Sequence, residues 1–209
     1  MRISHPGFML FYNFVAGHSQ VMFDRDLAVE AGLYDVDDLH VEDYGLWVRL
    51  LRKGRFVALP QVLHRYRFHD ASVSRKNVAS QTEGLVTLAR GQLLDLGLEL
   101  SREDVRSLQH FWLCGSAAAY RIPPDLDRLD DVDLHLREAY TYFCLRHRNE
   151  PAIWRNRHRI RHHVASRYVR WSRRLPPRAW RSRARMLRRA VAWDRSTALT
   201  AVPTRGRAT

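Results

Sequence analysis

From Pro151 to its end the chain carries 17 arginines and a single acid, Asp194, and this dictates how that third can fold. So cationic a segment can bury anything only by sorting apolar groups onto one side of a helix. Ile160, Val164, Tyr168, Trp171 and Leu175 recur at i, i+4, i+8, i+11 and i+15, which is one helical face. Pro176-Pro177 interrupts it. Trp180, Ala184, Leu187 and Val191 then repeat the pattern at i, i+4, i+7 and i+11, with arginine on the other faces. Arg-rich amphipathic helices are expected across 151–195 and a disordered tail across 196–209. The formal charge of the whole chain is +13. The last third supplies +16 of it, so residues 1–150 are slightly acidic at −3 and the basic pI belongs to the tail.

The first 150 residues have globular composition. No apolar run reaches the roughly 18 residues that a membrane span needs. The N-terminus lacks the basic, apolar and cleavage regions of a signal peptide. Cys114 and Cys144 show no CxxC spacing, so both are expected as small apolar residues rather than as a disulfide or zinc site. Residues 1–78 read as mixed α/β. Strands are expected within 14–23, at 55–60 and at 62–68. A short helix is expected from Asp26, as its cap, to Gly32, and another from Glu42 to Lys53 with Gly54 as its stop. Residues 79–150 read as a helical extension. Its second helix is opened by Ser101, with an acid three residues on, and its third spans 130–147.

Four pieces within residues 10–77 occur in a telling order: Asn13-Phe-Val-Ala-Gly-His-Ser-Gln-Val-Met-Phe, Glu30-Ala-Gly-Leu-Tyr-Asp35, Glu42-Asp-Tyr-Gly-Leu-Trp-Val-Arg-Leu50, and Tyr66-Arg-Phe-His-Asp-Ala-Ser-Val-Ser74. In order and spacing they resemble the acceptor-side half of family 2 glycosyltransferases. The resemblance implies an α/β fold: a partial GT-A (Rossmann-like) sheet over 1–78 with the Glu42-Asp43 helix, followed by α-helical extensions. It implies inverting transfer of a sugar from a nucleotide-sugar to an acceptor hydroxyl, in cell-surface polysaccharide or glycolipid synthesis.

The chemistry asks for a base, because a neutral hydroxyl is a poor nucleophile. A carboxylate at a helix start is held ionised by the dipole. By resemblance Asp43 is that base and Glu42 its orienting partner, although an acidic pair there also caps a helix with no chemistry at all. His18 and Ser19 follow Gly17 and are candidate acceptor contacts, or simply a turn. Trp47 faces the acceptor or packs. Arg67 is a candidate diphosphate contact, or a surface ion pair. The diphosphate leaving group implies Mg or Mn, with His69 as a ligand and His64 as its competitor. Tyr34 and Asp35 read as structural.

The family's donor-binding motifs, including the Asp-x-Asp that holds most of the metal, are missing from this sequence; Asp35-Val-Asp37 lies in the wrong place. The chain is therefore expected to be inactive alone, with a separate chain or further sequence carrying the donor half. The arginine stripes with Trp154, Trp171, Trp180 and Trp193 suit an anionic membrane surface, which implies a peripheral location on the cytoplasmic face of the cell membrane. The alternative function is a non-catalytic basic adaptor for membrane or nucleic acid, built from a glycosyltransferase remnant.

Overall fold

The computed structural model describes residues 2–3, 10, 15, 18–59, 61–65, 77–112 and 125–200. The expected partial sheet is not there. Among the described residues, strand pairing is confined to β1 (Arg2–Ile3) and β2 (Val57–Ala58), antiparallel, with Arg2 opposite Ala58 and Ile3 opposite Val57. All other regular structure in them is helical, so the fold is α-helical and the α/β expectation is overturned. The cause is that a strand is completed by its neighbours. Apolar-polar alternation at 55–65 offers a ladder edge, but the described residues supply no row of parallel strands to pair with it. Residues 18–20 form a 3₁₀ turn where a strand was expected, and the remainder of the 62–68 expectation, from 66 onward, lies outside the described residues.

The chain divides into two compact units, Met1–Val105 and Arg106–Thr209. In the first, α1 (Arg25–Glu30) precedes α2 (Glu42–Leu51) and α3 (Val78–Asp95). α4 (Arg102–Trp112) carries the boundary. α2 is the core of the first unit: Tyr44, Gly45, Leu46, Trp47, Val48 and Leu50 are all buried, so apolar groups surround the helix rather than lining one stripe. They pack with Ala28 and Ala31 of the α1 end, and Leu27, Phe56, Leu85 and Leu88 close around them. Each such large side chain removed from water contributes about 1.5–3 kcal/mol. α3 buries Val86, Ala89 and Leu93, and its Gln92 Nε2 donates to Tyr44 Oη at 2.7 Å. Thus α3, expected to open a separate extension, belongs to the first unit. Asp24, two residues earlier than the expected Asp26, caps α1 by accepting from the Asp26 and Leu27 amides. Ser101 caps α4 as its sequence indicated, its Oγ accepting from the Asp104 amide at 3.1 Å.

In the second unit, α5 (Leu129–Arg146) and the short α6 (Pro151–Asn156) lead into α7 (His158–Arg174), α8 (Trp180–Trp193) and α9 (Arg195–Thr200). α9 replaces the first residues of the expected disordered tail, and 201–209 lie outside the described residues. Pro176-Pro177 turns the chain so that α8 runs back along α7, and Arg161 Nε near the start of α7 donates to the carbonyl of Trp193 at the end of α8. α5 buries Leu129, Val132, Leu136, Ala139 and Phe143, a narrow stripe of period near 3.5. The α7 stripe is buried as well: Ile160, Val164, Tyr168, Trp171 and Leu175 all lie in the interior.

One polar group ties these helices together. Asp133 of α5 accepts from Tyr168 Oη of α7 and Trp193 Nε1 of α8, each at 2.8 Å, and from Arg137 Nε at 2.8 Å. Asp130, one turn earlier, pairs with Arg185 and Arg189 of α8. Asp130 and Asp133 thus sit where the arginine helices need a counter-charge.

Candidate functional site

α2 begins at Glu42 and Asp43, in the electropositive first turn where carboxylates are stabilised. Val41, in front of it, has no side chain that can cap the helix. Asp43 Oδ1 takes the amide of Tyr44 at 2.6 Å. Glu42 Oε1 lies 3.8 Å from His18 Nε2, while Glu42 Oε2 is enclosed without a hydrogen-bond partner. The 3₁₀ turn His18–Gln20 presents His18 and Ser19 at the surface. The His18 ring meets Tyr34 edge-on, with centroids 5.3 Å apart. The Tyr34 phenol is pushed above its ordinary pKa by burial and then by the negative charges of Asp43 and Glu42. One imidazole and one phenol ring therefore converge on two carboxylates, the four groups drawn from three segments.

The segment that carries Tyr34 is held from α2. Gly32 adopts φ +86° after α1, and its amide and that of Leu33 close back on Val29 and Ala28. Leu33 follows at φ +55°, uncomfortable for a branched side chain. Arg49 offsets this: Nε donates to the Ala31 carbonyl at 3.0 Å, Nη2 to the Leu33 carbonyl at 2.6 Å, and Nη1 faces Asp38 Oδ2 at 3.4 Å. A Cβ on Gly45 would lie 2.0 Å from Asp38 Oδ2, so glycine at this helical position is what lets Asp38 cross α2 to reach Arg49. The order of the second and third sequence pieces thus has a physical reason, since the arginine of one is the clamp for the other.

Of the residues expected at the site, Glu42, Asp43 and His18 come together, and Ser19 stands exposed on the same turn as His18. Trp47 does not join them. It is 0% exposed, edge-on to Phe23 and Phe56, so its ring packs the core and offers no surface to an acceptor. Its Nε1 has no partner. Arg67 and His69 lie outside the described residues. Among the described residues no three His, Cys, Asp or Glu side chains gather as a metal site.

Tyr34, Arg49, Asp38 and Gly45 were not singled out as functional from sequence. An arginine seven positions after the start of an otherwise apolar helix was the available signal.

Among the described residues no helix is long and apolar enough to cross a membrane. No protein-family model, curated protein or solved structure matches this chain.

Proposed function

We propose that the chain is the acceptor-side part of an inverting, nucleotide-sugar-dependent glycosyltransferase whose donor-binding residues come from another chain or from further sequence. The supporting observation is the convergence of His18 and Tyr34 on Glu42 and Asp43 at the start of α2, with Arg49 fixing the turn between them. The motif order points to the same chemistry.

In this reading Asp43 takes the proton of the acceptor hydroxyl as its oxygen attacks the anomeric carbon. The bond to the nucleoside diphosphate breaks on the opposite face, and configuration inverts. Glu42 holds His18 in place beside the base through Oε1, and His18 and Ser19 line the approach. The donor part supplies charge neutralisation of the diphosphate, including any divalent cation. A peripheral position at the cytoplasmic face of the cell membrane belongs to the same reading.

The test has two parts. Alone, the chain should bind an oligosaccharide from a glycan array, with His18→Ala weakening capture and no turnover of UDP-, GDP- or dTDP-sugars. With the donor part present, Asp43→Asn should abolish transfer without altering the circular dichroism. Near-normal transfer by Asp43→Asn would refute the assignment of the base, and absence of any glycan binding would refute the acceptor site.

A further inference from the structure

α8 has apolar residues on two sides. Met186, Ala190 and Trp193 are buried within the second unit. At about 100° per residue, Trp180, Ala184, Leu187 and Val191 fall within about 60° of arc on the other side. There Trp180 is 63% exposed, Val191 44% and Leu187 39%. Arg181 and Arg188 run along one flank of this ridge and Arg183 along the other. Among the described residues none of the three is in an ion pair, unlike Arg185 and Arg189, which take Asp130. The Arg181 guanidinium lies over the Trp180 ring, 5.3 Å from its centroid.

We infer that this outward ridge of α8 docks on an anionic lipid bilayer, with Trp180, Leu187 and Val191 entering the headgroup boundary and Arg181, Arg183 and Arg188 pairing with lipid phosphates. The charge pattern selects this occupant. A second copy set face to face would bring arginine rows against arginine rows. Nucleic acid would place phosphates against leucine and valine at the centre of the contact. A bilayer takes both parts at once: apolar groups sink about 5–10 Å while cations stay at the headgroups. The α7 stripe plays no part, because its tryptophan and tyrosine are already inside the protein. The docking face is independent of the transfer chemistry at α2.

The experiment is sedimentation of the full chain with phosphatidylcholine vesicles, with and without phosphatidylglycerol. Binding should require phosphatidylglycerol and weaken with added salt. Arg181→Gln with Arg188→Gln should lower affinity about fivefold per arginine removed. Trp180→Ser with Leu187→Ser should lower it at least about tenfold while the circular dichroism stays helical, because neither side chain is among the buried core residues. Trp180→Phe should keep binding and lose the blue shift of tryptophan emission. Equal binding to neutral vesicles, no binding to anionic ones, or wild-type binding by the Trp180/Leu187 variant would each overturn the inference. So would a ridge variant that loses self-association rather than lipid, or duplex DNA held by the wild type when vesicles are not. The docking face deepens the peripheral position proposed above, while none of these outcomes touches the glycan assay, so the acceptor site and the docking face fail separately.

Discussion

Replacing Asp133 by alanine should unfold the second unit far more easily than its single carboxylate suggests. The Asp133 side chain is 14% exposed and accepts from Tyr168 and Trp193, which are 0% and 3% exposed. The Tyr168 phenol is pushed far above its ordinary pKa by burial and then by the charge of Asp133, so it stays a donor wherever the fold persists. Truncation leaves a phenol and an indole N–H enclosed without acceptors, at about 1–3 kcal/mol each. Arg137 is 46% exposed and returns to water, so its loss adds little. The sum is about 2–6 kcal/mol. Asparagine keeps an oxygen for both donors and loses only the charge assistance, about 1–2 kcal/mol. Urea unfolding followed by hydrogen exchange of the α7 amides reads both variants without assuming that the two units melt together. An alanine variant within about 1 kcal/mol of wild type, or an asparagine variant as damaged as alanine, would refute Asp133 as the tie between α5, α7 and α8.

Acid should weaken the same unit through His163. Burial, and then Arg167, Arg170 and His162, hold its pKa down to about 4 against the usual 6.5, and Arg167 donates to its neutral Nε2. The unfolded chain binds the proton first, so stability present above pH 6.5 is lost as pH falls toward 4, by roughly 3 kcal/mol. Melting curves of His163→Gln should be flatter over that window; an unchanged slope would count against it. Gly84→Ala should destabilise the first unit by about 1–3 kcal/mol, because a Cβ there meets Val41 Cγ2 at 2.5 Å, just before α2 begins. A stabilised variant, as expected for alanine in an open helix, would show that α3 yields freely. Arg49→Lys should fail to hold the carbonyls of Ala31 and Leu33, since one ammonium cannot replace the fork. Nuclear Overhauser contacts between His18 and Tyr34 should vanish in it, and their survival would mean that the turn holds itself.

Much of this was written in local signals. The acidic pair Glu42-Asp43 starts α2, Gly32 ends the turn after α1, and Ser101 caps α4, because each is settled by groups within a few residues. The sheet was misjudged for the opposite reason. Alternation at 55–65 states what one strand could do, while pairing depends on segments elsewhere. The burial of α8 was ambiguous in the same way. Both of its faces carry apolar residues, and the choice fell to Met186, Ala190 and Trp193 because Asp130 and Asp133 of α5 receive Arg185, Arg189 and the Trp193 indole. At the candidate site, motif order named the carboxylates and His18, and the structure sets His18 beside Glu42. Tyr34 was not, because its place depends on Arg49 reaching back 16 residues to Leu33.

Packing 17 arginines into the last third has a further result. Neighbouring guanidinium groups on α7 and α8 lie well inside the Debye length of about 10 Å at 0.1 M salt, and only a few acids of α5 face them. The stability of this helical hairpin should therefore depend on the small anions that screen those charges. Dilution into a salt-free buffer should loosen it and added chloride should tighten it, the reverse of a domain held by surface ion pairs.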